Sequence, residues 1–191
     1  RLIADLLQTA GADRILSMTL HSPQIMGFPR IPMDQLLATP YLIQHYRQKD
    51  LSNAIVAAPD VGSAKESRTF ALALNLPMVI LDKERLGDRE KVVMRNIIGD
   101  PNGKDVLLVD DEILSGDSML EAAKMLKDHG AKRIWAGCTH GFFTNNALKR
   151  IQDSCIEEIA VTNTIMQRNN VTHPKLKVIS VAPMFADAIN S

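Results

Sequence analysis

The sequence predicts an α/β domain with a mostly parallel sheet flanked by helices. Short apolar runs alternate along the chain with segments of helical spacing. The run at residues 106–109, Val-Leu-Leu-Val, contains no polar position, which is typical of a strand buried on both faces. Because such runs lead through short polar loops into helices, right-handed crossovers between parallel strands are expected.

The predicted order begins with a helix over residues 2–10, which Gly11 ends, and a strand over residues 14–20 that leads to His21. Residues 22–34 contain three prolines and a glycine, so a loop or a crossing between domains is expected there. Further helices are predicted at residues 36–49, 65–75, 119–126 and 145–151 and after Pro183. Further strands are predicted at residues 53–58, 77–81, 92–98, 106–109, 133–138, 156–161 and 176–181.

Composition and charge limit the classes of protein to which the chain can belong. A chain of 191 residues that is 46% hydrophobic can bury a substantial core. Its 22 basic and 22 acidic residues cancel, so neither nucleic acid nor an anionic membrane is an expected partner. No apolar run approaches the roughly 20 residues that cross a bilayer, so a soluble protein is predicted. Cys138 and Cys155 lack metal-type spacing, and without a signal-like segment they fit a reducing cytosol with no structural disulfide.

The acidic pair Asp110-Asp111 follows the buried run, and a loop rich in hydroxyls and glycine then leads into a helix. A loop at a helix N-terminus directs free N–H groups and the positive end of the dipole at one point, which suits a phosphate. The hydroxyls of Ser115 and Ser118 can add donors, while the carboxylates can bind sugar hydroxyls or a cation. A sugar-phosphate site is predicted. The alternative is structural, because Asp and Ser commonly cap helices.

The whole chain resembles the C-terminal part of the ribose-phosphate pyrophosphokinases, also called phosphoribosyl pyrophosphate synthetases, which have a type I phosphoribosyltransferase fold. The resemblance is carried, in this order, by Ala10-Gly11-Ala12-Asp13-Arg14, Leu20-His21, Gln24-Ile25-Met26-Gly27-Phe28-Pro29, Pro59-Asp60-Val61-Gly62, Asp82-Lys83-Glu84-Arg85, Asn96-Ile97-Ile98-Gly99-Asp100, Val109-Asp110-Asp111, Ala136-Gly137-Cys138-Thr139-His140-Gly141 and Ser180-Val181-Ala182-Pro183. Together these segments distinguish the family from ordinary phosphoribosyltransferases. The resemblance implies transfer of the diphosphoryl group of ATP to ribose 5-phosphate, which leaves AMP and serves nucleotide biosynthesis.

Two residues acquire metal-binding roles through the resemblance. It implies that His21 and Asp60 hold Mg²⁺, and a carboxylate oxygen is a ligand that Mg²⁺ prefers. The alternative for His21 is a structural hydrogen bond to a neighbouring carbonyl group.

The resemblance also implies that Lys83 and Arg85 are catalytic residues on a mobile loop, with Arg85 binding substrate as well. Cations that close over the phosphates suit phosphoryl transfer, which depends on positioning and on stabilising charge. The alternative is a solvated charged turn.

The implied substrate-binding residues of the ribose-5-phosphate loop are Asp110, Asp111, Leu114, Ser115, Gly116, Asp117 and Ser118. The family has aspartate where this chain has Leu114, and glycine where it has Asp117. Leucine cannot hydrogen-bond a ribose. The carboxylate of Asp117 is expected to repel a phosphate unless it turns away or meets a cation.

The predicted division places residues 1–28 at the end of an N-terminal, ATP-side domain and residues 29–191 in a phosphoribosyltransferase-like domain that binds ribose 5-phosphate. We therefore expect the segment alone to be inactive. The resemblance further implies a cytoplasmic homo-oligomer, a hexamer in the family, with ATP and ribose 5-phosphate as its partners. A catalytically impaired regulatory subunit is the alternative. A phosphoribosyltransferase acting on a base would need a hood segment, which the sequence does not show.

Overall fold

The structure is a computed structural model that describes residues 1–86, 91–167 and 173–191, without the side chains of residues 83–86 and 91–95. The described strands are β1 (Ile15–Met18), β2 (Met33–Leu36), β3 (Ala54–Ala58), β4 (Met78–Leu86), β5 (Lys91–Ile98), β6 (Asp105–Ile113), β7 (Ile134–Gly141), β8 (Glu158–Thr162) and β9 (Leu176–Ile179). The described α-helices are α1 (Leu2–Thr9), α2 (Thr39–Tyr46), α3 (Ala64–Leu74), α4 (Asp117–Asp128), α5 (Ala147–Gln152) and α6 (Ala182–Asn190). None of them combines the length and apolarity that crossing a membrane requires.

The main sheet has seven strands in the order β5-β4-β3-β6-β7-β8-β9. Every neighbouring pair in it is parallel except β4 and β5, which are antiparallel. The predicted α/β class with a mostly parallel sheet is thereby confirmed. Because β3 and β6 are neighbours, the segments that follow these two strands emerge at the same edge of the sheet.

Both faces of the central strands are buried, which explains their continuous apolar runs. Along β6, Val106 and Leu108 pack in a cluster with residues of α4, while Leu107 and Val109 pack in another with residues of α2 and α3. Successive side chains of a strand point to opposite faces, so a strand covered on both sides needs apolar residues at every position. The centre of the sheet is therefore a buried layer between helices.

The prediction of a loop over residues 22–34 is wrong in two places. A 3₁₀ helix occupies Pro23–Gly27, and β2 occupies Met33–Leu36. Proline fits the first turn of a helix because its fixed φ is already helical and it needs no N–H acceptor there. Strand β2 pairs in parallel with β1 from Ile15↔Met33 to Met18↔Leu36, a contact that local breaker residues do not reveal. These two strands form a small separate sheet.

Strand β4 is longer than the predicted strand at residues 77–81. It continues to Leu86 because its backbone pairs with β5, from Ile80↔Ile98 to Leu86↔Lys91. The backbone of Lys83 and Arg85 therefore lies in a strand, where the resemblance implied a loop. Cys138 and Cys155 are both free, as expected.

Candidate functional site

The acidic pair lies inside β6 and not after it. The sequence predicts that this strand ends at Val109, but β6 remains paired with β7 as far as Ile113↔Gly141. The connection to α4 is therefore only residues 114–116, and α4 begins at Asp117. This short connection places Asp110 and Asp111 a few residues from the helix N-terminus.

Asp110 stands in a crowded acidic environment. Its Oδ1 accepts a hydrogen bond from the Asp111 amide at 3.1 Å. Burial raises the pKa of Asp110 well above its ordinary value, and the charges of Asp111, Asp60 and Glu66 raise it further. A cation or a hydrogen-bond donor placed among these carboxylates would relieve the repulsion.

Asp60 follows β3, the neighbour of β6, and its loop is held by local hydrogen bonds. The Ser63 amide donates to Asp60 Oδ1 at 2.9 Å, and the Ser63 hydroxyl donates to the Asp60 carbonyl at 3.0 Å. Helix α3 begins directly afterwards at Ala64. The strand order thus brings the predicted metal ligand Asp60 within electrostatic range of Asp110.

Glu66 belongs to the same acidic group but is absent from the predicted site. It lies in the first turn of α3, where burial, followed by the charge of Asp111, raises its pKa to about 7. The sequence does contain a signal, because Ser63 followed three residues later by Glu66 is typical of a helix start. That signal indicates a helix cap and says nothing about the neighbouring strand β6.

His21 contacts the acidic pair directly. Its Nδ1 lies 2.7 Å from Oδ2 of Asp111, so its partner is a carboxylate and not the carbonyl group of the alternative interpretation. The His21 side chain is 75% exposed, whereas that of Asp111 is 15% exposed. The hydrogen bond to Asp111, together with its charge, raises the pKa of His21.

The donor set at this edge of the sheet suits a hydrated divalent cation better than a protein cage. Within the described ranges, no three His, Cys, Asp or Glu side chains are arranged to hold a metal ion. Mg²⁺ usually keeps several waters and takes one or two carboxylates together with substrate phosphates. The crowded carboxylates around Asp110 fit that mode of binding.

The loop for which an anion site is predicted lies between β6 and α4. Gly116 is the N-cap of the twelve-residue helix α4 and has φ +79°, a conformation that glycine adopts without strain. Among the described residues, the Ser118 hydroxyl has no hydrogen-bond partner and is available to a ligand, whereas the Ser115 hydroxyl donates to Oδ2 of Asp117 at 2.6 Å. Leu114 is 51% exposed, and its carbonyl accepts a hydrogen bond from the Thr144 amide at 2.9 Å.

The Asp117 carboxylate forms an ion pair with a cation. This is one of the two conditions under which we expect it to be compatible with a nearby phosphate, the other being that it turns away. Arg150, on α5, donates from Nη2 to Asp117 Oδ1 at 2.5 Å. Hydrogen bonds from Ser115 and then from Arg150 lower the pKa of Asp117. Sequence reasoning missed Arg150, and no local signal could have found it because 33 positions separate the two residues.

The side chains of Lys83 and Arg85 lie outside the part of the chain that the structure describes. Their backbone belongs to β4, which is paired with β3 at its start. The catalytic role of both residues stays a prediction.

Comparisons with known proteins relate the chain to one family. The sequence profile of the phosphoribosyl synthetase-associated domain matches residues 85–191. Two similar relatives are named ribose-phosphate pyrophosphokinase: that of Clostridium perfringens is 45% identical over 193 aligned residues, and that of Caldanaerobacter subterraneus is 44% identical over 190. The alignments cover 100% and 99% of this chain and 60% of each relative. The chain thus spans about 60% of the length of these relatives.

Solved structures show the same relation. The phosphoribosylpyrophosphate synthetase of Mycobacterium smegmatis superposes with a TM-score of 0.90 at 34% identity, covering 99% of this chain and 61% of that one. An APRTase from Giardia lamblia, at 15% identity, has a TM-score of 0.55 over 75% of this chain and 76% of that one, a likeness of fold alone.

The fold and site together define a type I phosphoribosyltransferase-like α/β domain, with an acidic pair next to an anion loop. The chain belongs to the ribose-phosphate pyrophosphokinase family.

Proposed function

We propose that the protein is a ribose-phosphate diphosphokinase. It transfers the diphosphoryl group of ATP to ribose 5-phosphate and forms phosphoribosyl pyrophosphate and AMP. The observation that carries this proposal is the anion loop at the start of α4, directly beside Asp110 and Asp111, in a chain of this family. The proposal also includes a cytoplasmic homo-oligomer and no nucleic-acid or membrane partner.

The loop and the acidic pair supply complementary halves of a sugar-phosphate site. The first N–H groups of α4 and the Ser118 hydroxyl bind the phosphate, because donors at a helix N-terminus favour an anion. Asp110 and Asp111 accept hydrogen bonds from the ribose hydroxyls. Leu114 offers no polar atom from its side chain and bounds the site with an apolar surface.

In the reaction, the anomeric oxygen of ribose 5-phosphate forms a bond to the β-phosphorus of ATP. The bond from that phosphorus to the oxygen bridging the α-phosphate breaks, AMP leaves with that oxygen, and the proton of the anomeric hydroxyl is released to solvent. Lys83 and Arg85 stabilise the charge on the transferred group, Lys83 as a compact charge and Arg85 as a bidentate donor.

Mg²⁺, when bound, neutralises phosphate charge and orients the nucleotide. Asp60 and His21 are its proposed ligands. Asp111 orients His21 through the 2.7 Å contact, and the acidic surroundings of Asp110 favour a cation nearby. We propose that residues 1–28 belong to the ATP-side domain and residues 29–191 to the domain that binds ribose 5-phosphate.

The test measures transfer of label from γ-labelled ATP to ribose 5-phosphate by the full-length protein, across magnesium and phosphate concentrations. Labelled phosphoribosyl pyrophosphate is expected, together with an equal amount of unlabelled AMP. The Asp110→Asn variant should lower kcat/KM for ribose 5-phosphate by roughly 10- to 100-fold, because an amide nitrogen cannot accept a hydrogen bond from a sugar hydroxyl where a carboxyl oxygen did. Asp128→Asn, at an exposed position on α4, is the matched control and should behave as the wild type.

Absence of product under every condition would contradict the proposal and favour the regulatory subunit. In that case the combined change Leu114→Asp and Asp117→Gly decides whether the altered loop is responsible. Recovered activity would assign the defect to the loop, and continued inactivity would exclude that explanation.

A further inference from the structure

We propose that Arg150 is a positioning residue of the anion loop, which neutralises Asp117 and so allows a phosphate to approach the N-terminus of α4. This inference rests on the proposed function and adds a residue to the same site. Neither the predicted site nor the loop's own sequence contains this arginine.

The need for a neutralising group follows from the position of Asp117. It is the only ionisable side chain in residues 114–118, and it is the first residue of α4. A phosphate bound by the first N–H groups of the helix would therefore lie close to this carboxylate. Two like charges about 4 Å apart repel even in water, and a phosphate dianion strengthens that repulsion.

The geometry shows how Arg150 meets this need. Both carboxylate oxygens of Asp117 accept hydrogen bonds, Oδ2 from Ser115 at 2.6 Å and Oδ1 from Arg150 Nη2 at 2.5 Å. The other terminal nitrogen of Arg150, Nη1, donates to the Ser115 carbonyl at 3.3 Å. One planar guanidinium group therefore engages the carboxylate and the loop backbone at once, which a lysine could not do with the same geometry.

The start of α5 is itself fastened to the loop, so the origin of Arg150 is fixed. The Thr144 amide donates to the Leu114 carbonyl at 2.9 Å. A side chain at Gly116 would have its Cβ 3.5 Å from Cβ of Ala147, the first residue of α5, so the two segments lie in close contact. The Asp117 and Arg150 side chains remain 55% and 42% exposed, which leaves room for a ligand beside them.

A double-mutant cycle tests the proposal. Arg150→Ala, Asp117→Asn and the double variant are compared with the wild type in the full-length protein, and binding of ribose 5-phosphate is measured by calorimetry. Arg150→Ala should weaken binding roughly tenfold, because it unmasks the Asp117 charge. In the Asp117→Asn background the same change should alter binding by less than about twofold. Lys149→Ala, which removes an exposed cation from the neighbouring position on α5, should bind as the wild type does.

Two further readouts separate positioning from support of the fold. The loss in Arg150→Ala should be seen as a higher KM for ribose 5-phosphate with kcat little changed, and Arg150→Lys should restore part of the binding. Binding of inorganic phosphate should respond in the same way: Arg150→Ala should weaken it in the wild-type protein and change it little in the Asp117→Asn variant.

An equal loss in both backgrounds would overturn the inference, because Arg150 would then contact the ligand or stabilise the fold. That result would leave the proposed function intact. Failure of the wild type and of Asp117→Asn to bind ribose 5-phosphate would instead overturn the proposed function, and the inference with it.

Discussion

At the residue scale, a carboxylate beside an anion loop is tolerable when its charge is already engaged. Asp117 receives hydrogen bonds from Ser115 and Arg150, and both favour its ionised form. The pair is more than one-third exposed, so its contribution to stability is small and depends on salt. Its significance lies in the electrostatics of the loop.

The pKa of Asp117 provides a direct prediction. It should lie below the ordinary aspartate value, and both Ser115→Ala and Arg150→Ala should raise it, since hydrogen bonds from both side chains and the charge of Arg150 lower it. Because the folded-state pKa is depressed, the stabilisation is present above the unfolded-state pKa and is lost as pH falls through the folded-state value. Carboxyl ¹³C NMR titration measures these shifts. An ordinary pKa in the wild type would show that neither hydrogen bond forms.

At the scale of elements, α2 is joined to β8 by a half-buried charged group. Glu158 accepts from His45 Nε2 at 2.8 Å and from Lys49 Nζ at 3.0 Å, and these side chains are at most 23% exposed. Burial raises the pKa of Glu158, but the hydrogen bonds and charges of His45 and Lys49 together outweigh it and the net shift is downward. These three side chains fix α2 against the beginning of β8, whereas the anion loop follows the end of β6.

Removal of the Glu158 charge should therefore destabilise the fold. Glu158→Gln should lower the free energy of unfolding by about 1 to 3 kcal/mol at pH 7, because His45 and Lys49 lose their anionic partner. Since the folded-state pKa of Glu158 is depressed, the deficit should shrink as pH falls through that value. Denaturant unfolding at pH 7 and pH 3 measures both effects. The exposed neighbour gives the control Glu157→Gln, and an equal loss there would contradict the assignment.

At the scale of the whole molecule, His140 connects the small sheet to the main sheet. From β7, its Nε2 lies 2.9 Å from the Thr19 carbonyl, and its Nδ1 lies 2.9 Å from the Thr164 hydroxyl. Since a carbonyl only accepts, Nε2 carries the proton. Thr19 has φ +42°, an unfavourable conformation for a β-branched residue that costs about 1 to 3 kcal/mol, so surrounding contacts must hold it. His21 follows two residues later.

We expect His140→Leu to loosen this connection. The free energy of unfolding should fall by about 1 to 3 kcal/mol, because buried acceptors lose their donor. Amide hydrogen exchange should accelerate at Thr19 and Ala38, which lie beside the contact, more than at Leu108 in the main sheet. His140→Gln, which keeps a donor, should recover part of the loss. Uniform acceleration over both sheets would contradict a local coupling role.

Much of the fold could be predicted from the sequence because burial leaves a local pattern. The continuous apolar run of β6 indicates a strand that is buried on both faces. The acidic pair followed by a glycine-containing loop indicates that ligands bind at this edge of the sheet. The positions of most strands and helices follow from the same local patterns. The predicted ends of strands were less accurate, as for β4 and β6, because pairing with a neighbouring strand determines where a strand ends.

The sequence by itself determined the fold class, the family and the candidate residues of the loop, since each depends on patterns within short segments. Only the tertiary structure decided that His21 contacts Asp111, that Asp60 and Glu66 surround Asp110, and that Arg150 neutralises Asp117. These partners are distant along the chain, and strand order and register determine which of them meet. A short segment of sequence specifies neither strand order nor register, so the charge interactions of the site are determined only by the tertiary structure.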